Sequence, residues 1–144
     1  MLRCSVVALP VLLLGCNTAQ KNCEHARDVV VEMAERDTKT ALASVDMASR
    51  PELEKDAKAD LDKLRGTFVE HCLALGDEGK QCIERIDELR QAELDYEKQT
   101  EACPKDDVGF PDEACQTKAR DAMNAKAGAC DGELTGMMDA IYGK

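Results

Sequence analysis

This chain has very little of the side-chain material from which protein cores are built. Its 144 residues include no Trp, two Tyr and two Phe. Beyond residue 15 it contains only 20 Leu, Ile, Val and Phe residues, which is fewer than one residue in six. Such a composition, combined with a strongly negative net charge, is typical of chains that do not fold. A stable fold from this sequence therefore needs cross-links that supplement a small core.

The sequence also lacks the motifs of catalysis and of nucleic-acid binding. It has two His, and it contains no Cys-x-x-Cys, phosphate-binding loop, nucleophile elbow or His-Glu-x-x-His pattern. Its net charge of −10 repels the phosphate backbone of nucleic acids. We therefore predict that the protein is not an enzyme, that it has no catalytic residue, cofactor or resident metal, and that it does not bind nucleic acid.

The N-terminus carries a short apolar run. After Arg3, residues 6–14 are uncharged, and this run is too short to span a membrane, which takes about 20 residues. The run closes on Leu13-Leu14-Gly15-Cys16, which resembles the lipobox of bacterial lipoproteins. That resemblance implies that residues 1–15 are a signal peptide and that Cys16 carries a diacylglyceryl group and an N-acyl chain. The alternative is an ordinary signal peptide, with Cys16 as a disulfide partner.

The lipoprotein resemblance also implies a location. In such lipoproteins an Asp after the lipidated Cys often signals inner-membrane retention, whereas Asn17 stands here. We therefore expect a bacterial envelope protein, held by lipid to the outer membrane and facing the periplasm. Residues 16–22 are predicted to form a short tether that reaches about 20 Å when extended, which favours another envelope protein close to the membrane as the partner. Loss of Arg3 with the signal peptide makes the net charge −11 and holds the domain off anionic lipid.

Six cysteines remain when Cys4 leaves with the signal peptide and Cys16 is lipidated. An even number in an exported chain indicates three disulfides, for which spacing alone allows 15 connectivities. They are Cys23, Cys72, Cys82, Cys103, Cys115 and Cys130.

Apolar residues recur at helical spacing along the rest of the chain. The cleanest stripe runs from Leu53 to Leu75 in steps of three and four residues. The predicted helices cover about 22–48, 49–75, 80–102 and 112–130, followed by a short one that contains Leu134, Met137, Met138 and Ile141. We therefore predict one all-α domain over residues 23–144. It is a small up-down bundle of about four helices plus a short C-terminal helix, stapled by disulfides.

Some local interactions can also be predicted. Ser49, with Glu52 three residues later, is expected to cap the second helix, and Asp112 the fourth. Two i,i+4 ion pairs are expected on the exposed face of the first helix: Glu32 with Arg36, and Glu35 with Lys39.

Antiparallel helical hairpins place particular cysteines at the same level. This register predicts Cys23–Cys72 in the first hairpin and Cys103–Cys115 at the closed end of the second. Cys82–Cys130 is then the third pair, although Cys130 falls about six residues short of the level that faces Cys82. The main competing arrangement pairs Cys72 with Cys82 and Cys23 with Cys130.

Three other groups of residues suggest chemistry, and each has a simpler structural explanation. Cys23, His25, His71 and Cys72 resemble a set of zinc ligands, but Cys23 and His25 lie about 200° apart around a helix. Asp106, Asp107, Asp112 and Glu113 suggest a calcium loop, but they do not follow the EF-hand pattern. Met137, Met138, Ile141 and Tyr142 form either an exposed partner-binding tail or a last helix that closes the bundle, which we favour.

The sequence therefore predicts a membrane-anchored, non-enzymatic protein with an interaction or structural role. The alternative function is a module that uses its acidic surface to bind a divalent cation or a small ligand.

Overall fold

The computed structural model describes residues 12–128 and 130–143, with side chains from Thr18 onward. These residues form an all-helical domain without named strands, as the sequence predicts. The helices are α1 (Leu12–Ala43), α2 (Arg50–Leu73), α3 (Asp77–Glu84), α4 (Ile86–Glu101), α5 (Glu113–Ala127) and α6 (Cys130–Tyr142). One isolated β-bridge pairs Lys105 with Pro111 in the loop between α4 and α5.

The first hairpin packs α1 against α2 through the most extensive helix contact in the described chain. The chain turns at residues 44–49, and α2 begins where the sequence predicts. The predicted cap is wrong, however, because the Ser49 side chain makes no capping hydrogen bond. Asp46 orders this turn instead: Asp46 Oδ1 accepts hydrogen bonds from the backbone N–H groups of Ala48 and Ser49.

The predicted third helix is two helices, α3 and α4, because the helix is interrupted at Arg85. The backbone of Arg85 leaves the helical region, with φ −100° and ψ 12°. Its side chain stabilises the break, because Nη2 donates to the carbonyl oxygen of Lys126 at the end of α5. The break gives the two helices separate neighbours: α3 packs on α6, and α4 packs on α5.

The predicted fourth helix also ends early. Asp112 caps α5 as expected, since its Oδ1 accepts from the backbone N–H of Cys115. The helix stops at Gly128, which has φ +53°, a conformation that L side chains rarely adopt. Cys130 therefore begins α6 instead of ending α5. The change of direction also removes the register problem of Cys130, because α6 packs directly against α3 and α2.

The three disulfides of the structure coincide with the predicted pairings. Cys23–Cys72 joins α1 to α2, Cys82–Cys130 joins α3 to α6, and Cys103–Cys115 closes the α4–α5 hairpin. Their Cα atoms are 5.8, 5.4 and 5.8 Å apart, which are ordinary separations for disulfides. The competing Cys72–Cys82 and Cys23–Cys130 arrangement is not the one present.

The main core lies at one end of the molecule. It combines the first half of α1, the second half of α2, α3, the start of α4, and α6. Its fully buried side chains include Leu64 and Phe68 on α2, and Ile141 on α6 packs with them. The predicted stripe on α2 is therefore buried only in its second half, and Leu53 at its start is 43% exposed. Outside this end the buried apolar residues are small, such as Ala92 on α4 and Ala119 on α5, because the sequence has few large apolar residues.

The final residues close this core and do not form a free tail. Met137 and Ile141 are buried, and Met138 and Tyr142 pack at the margin of the same cluster. Residues 16–22, the predicted tether, belong to α1, which extends back to Leu12. The six residues from Asn17 to Asn22 rise about 9 Å as a helix, whereas they would reach about 20 Å if fully extended.

Candidate functional site

The predicted lipid-attachment residue, Cys16, lies in the part of α1 for which only the backbone is described. It comes seven residues before Cys23, which is about 10 Å along the helix axis. Residues 1–11 of the predicted signal peptide lie outside the described residues. The lipid on Cys16 stays a prediction. The structure shows which surface of the domain lies beside the start of α1.

That surface contains an apolar cavity of about 360 Å³. It opens where the start of α1, the end of α2 and α3 come together. Its walls include Ala19, the Cys23–Cys72 disulfide, Leu73 and Ile83, with Lys80 at its edge. Leu73 is 42% exposed although it is a large apolar residue. A cavity of this volume lies within the usual range of small-molecule sites.

The zinc alternative fails because its sulfur ligands are used elsewhere. Cys23 and Cys72 form a disulfide, so neither supplies a thiolate. His25 Nε2 lies 2.8 Å from Asp87 Oδ2 on α4, which makes it part of a contact between helices.

Two of the four acidic residues of the calcium alternative, Asp106 and Asp112, bind backbone groups. Asp106 Oδ1 accepts hydrogen bonds from the backbone N–H groups of Val108 and Phe110, and Asp112 caps α5. These contacts order the loop and the helix start. Within the described residues, no group of three or more His, Cys, Asp or Glu side chains is placed to hold a metal ion.

Charged side chains connect α1 to α4, and sequence analysis did not predict this contact. Arg36 Nη2 lies 2.8 Å from Glu97 Oε1 and 3.9 Å from Glu93 Oε1, and Arg90 pairs with Glu32. The predicted pair of Glu32 with Arg36 is therefore wrong, because both side chains reach across to α4. Glu35, likewise, pairs with Arg65 of α2 and not with Lys39.

Glu93 is a titratable group whose pKa is altered at this contact. Partial burial raises the pKa of the Glu93 carboxyl, and the nearby negative charge of Asp37 raises it further. Arg36 acts in the opposite direction and does not fully compensate. Glu93 also lines a second cavity, of about 390 Å³, between α4, α5 and α6. Tyr96, Glu97 and Asp131 share its wall, so this cavity combines apolar surface with carboxylates.

The two hairpin turns lie at the same end of the molecule. The α1–α4 pairs advance together along both helices, from His25–Asp87 to Arg36–Glu97, so the two helices run in the same direction. The turns that follow them, at residues 44–49 and 102–112, are thus at the end opposite the start of α1. Three large apolar residues are exposed there: Met47, Val108 and Phe110 are 84%, 77% and 69% exposed.

Comparison with protein families, curated proteins and solved structures finds no match for this chain. None of the helices in the described ranges is both long enough and apolar enough to cross a membrane.

The apolar cavity beside the start of α1 is absent from the predictions that the sequence supports. Leu73 is the residue that indicates it, because Leu73 directly follows Cys72 and is not one of the regularly spaced apolar positions between Leu53 and Leu75. An apolar residue off the buried face of a helix indicates a second contact or an exposed apolar surface. The position of Ile83 could not be inferred in the same way, because it depends on the break at Arg85.

Proposed function

We propose that this protein is a lipid-anchored bacterial envelope lipoprotein with a non-enzymatic interaction or structural role. The observation that carries the proposal is the Leu13-Leu14-Gly15-Cys16 sequence at the end of a short apolar run. Three disulfides support it, because they form and persist in oxidising compartments such as the periplasm. The proposed location is the outer membrane, with the domain facing the periplasm.

The direction of α1 places the proposed partner surface farther from the membrane than the short tether alone would suggest. The helix is continuous from Cys16 to Ala43, and these residues span about 40 Å. The hairpin turns with Met47, Val108 and Phe110 lie at its far end. In this proposal the lipid holds one end of the domain, and the exposed apolar residues at the other end contact another envelope protein.

The membrane attachment is tested by replacing Cys16 with Ser in cells that are fed a labelled fatty acid. We expect the wild-type chain to carry the label and to sediment with membranes, and the C16S chain to lose both properties. Cys4→Ser is the matched control, since Cys4 leaves with the predicted signal peptide and its loss should change neither. Label that remains on the C16S chain would refute the lipid site.

The location is tested separately by separating inner and outer membranes on a density gradient. The proposal predicts that the wild-type protein is in the outer-membrane fraction. A protein found wholly with the inner membrane would contradict the location and leave the lipid anchor intact.

A second candidate function is the binding of a small ligand or divalent cation. The cavity between α4, α5 and α6 favours the small-ligand form of this candidate, because it combines the carboxylates of Glu93, Glu97 and Asp131 with the apolar surface of Tyr96 and its neighbours. Calorimetric titration of the protein with calcium and with zinc tests the cation form of this candidate. Absence of heat in both titrations would remove it.

A further inference from the structure

The residues that line the apolar cavity at the start of α1 indicate which kind of ligand would fit it. Leu73, Ile83, Ala19 and the Cys23–Cys72 disulfide give it a largely apolar surface. Ile83 is buried in the core, whereas Leu73 remains partly exposed at the cavity. The charges of Lys80 and Glu84, which also border it, are opposite in sign and favour neither an anion nor a cation. The surface therefore favours an uncharged, apolar ligand.

If Cys16 is lipidated, an uncharged apolar acyl chain is covalently attached close to this cavity. Thr18, Ala19, Asn22 and Cys23 line the cavity along two turns of α1. Position 16 belongs to the same helix and comes three residues before Ala19 and seven before Cys23. Its backbone is about 10 Å from that of Cys23 along the axis. An acyl chain spans about 15 Å, half of the hydrocarbon thickness of a bilayer, so it is long enough to reach the cavity.

We propose that this cavity holds one fatty acyl chain of the lipid attached to Cys16. The inference rests on the proposed lipidation of that residue. Three acyl chains are expected on Cys16, two from diacylglyceryl and one on the amino group. With one chain in the cavity, two remain in the bilayer, which is the number that anchors a protein stably. The seated chain fixes the end of the domain that contains α3 and the end of α2 against the membrane.

Two other occupants are less compatible with the molecule. A second copy of the chain would bring together two domains that each carry a net charge of about −11. A free membrane lipid fits the apolar surface, but it would have to leave the bilayer entirely. The acyl chain on Cys16 needs only to fold back over two helical turns of its own protein.

The test uses cells that express the full chain and are fed palmitate with a photoreactive diazirine on its chain. After illumination, mass spectrometry of the purified protein locates both the lipid on Cys16 and the residues to which the acyl chain cross-links. We expect cross-links to the peptides that contain Leu73 and Ile83. Leu73→Gln should lower their yield several-fold. The matched control is Leu53→Gln, which changes an equally exposed Leu on the same helix far from the cavity and should leave the yield unchanged.

Ala19→Phe provides a second variant, because it fills the cavity from α1 without changing α2. Circular dichroism shows whether each variant keeps its helical content. Lipid on Cys16 with cross-links only to phospholipid would overturn the cavity proposal and leave the anchor in place. Absence of lipid on Cys16 would overturn both. Cross-links at Leu73 that persist in the C16S chain would identify a free membrane lipid as the occupant and also refute the inference.

Discussion

The Cys82–Cys130 disulfide should contribute more to global stability than Cys103–Cys115, and the structure explains why. Cys82–Cys130 holds α6 on α3, and α6 supplies Met137 and Ile141 to the main core. Cys103–Cys115, in contrast, closes the α4–α5 hairpin, and the only fully buried residue described on α5 is Ala119. Loss of the first disulfide therefore affects the core, whereas loss of the second affects one hairpin.

Loop closure gives the expected magnitudes. The chain-entropy relation gives about 4 kcal/mol for Cys82–Cys130, whose cysteines are 48 residues apart. It gives about 3 kcal/mol for Cys103–Cys115, which are 12 residues apart. Burial of Met137 and Ile141 contributes about 2 kcal/mol each to the free energy of unfolding. This contribution decreases if α6 is no longer cross-linked to α3. Since a domain of this size is stable by about 5–15 kcal/mol in total, the first loss is close to the limit of folding.

Paired Cys→Ala variants of each disulfide allow the comparison. Urea unfolding followed by far-ultraviolet circular dichroism gives the free energy of unfolding, and hydrogen exchange gives the protection of each helix. We expect the Cys82/Cys130 variant to lose at least about 4 kcal/mol, with protection lost in α3 and α6. The Cys103/Cys115 variant should lose protection mainly in α5 and the end of α4. The reasoning is refuted if the second variant is globally less stable than the first, or if the first loses less than about 1 kcal/mol.

Three further predictions concern side chains that the structure places in contrasting environments. Glu93→Gln should raise the melting temperature at pH 7, because the raised pKa of Glu93 means that its charged form is disfavoured in the fold. This gain in melting temperature should disappear as the pH falls below the ordinary pKa of 4.5, and a gain that persists down to pH 3 would contradict the prediction. Asp46→Ala should lower the melting temperature slightly and Asp46→Asn less so, because hydrogen bonds from the Ser49 and Ala48 backbone lower the pKa of Asp46; its contribution is present above the ordinary value of 3.8 and is lost as the pH falls through the lowered pKa, and melting temperatures measured from pH 2 to 7 check this. Phe68→Ala should cost about 3–5 kcal/mol in urea unfolding and the control Phe110→Ala close to zero, since Phe68 is fully buried and Phe110 is 69% exposed; equal costs would show that the core is placed wrongly.

The sequence predicts the helical class and favours the observed disulfide pairing over one main competitor, because apolar spacing and hairpin register are regular along the chain. Apolar spacing identifies helices, and hairpin register then determines which cysteines lie at the same level. Cys23–Cys72 follows from this register directly. Cys82–Cys130 was predicted with a register error of about six residues, which the turn at Gly128 removes. That turn could not be inferred, because Gly occurs in the chain both inside helices, as at Gly66, and at their ends.

The tertiary ion pairs could not be predicted from the sequence for a different reason. Local spacing indicated Glu32–Arg36, since residues four apart on a helix are neighbours. In the structure Arg36 instead meets Glu97, which is 61 residues away. A pairing of that kind depends on which helix lies beside α1, and the sequence contains no local signal for it. Arg85, where α3 and α4 separate, also makes a contact distant in sequence, because its guanidinium donates to the carbonyl oxygen of Lys126 at the end of α5.

The distribution of stabilising interactions has a consequence for function. Near the start of α1, the fold is held by a buried core and the Cys23–Cys72 and Cys82–Cys130 disulfides. Toward the hairpin turns, partly exposed ion pairs such as Arg36–Glu97 join α1 to α4, and each contributes about 0–1 kcal/mol and weakens with salt. We therefore expect the end that presents Met47 and Phe110 to have lower local stability than the end with the main core, Cys103–Cys115 being the one described cross-link there. Low local stability is what a surface needs to adjust to a partner, whereas a cavity for a tethered acyl chain needs rigid walls. The main core thus lies at the end that carries the proposed acyl-chain cavity, and the proposed partner surface lies at the opposite end, where large apolar residues are exposed.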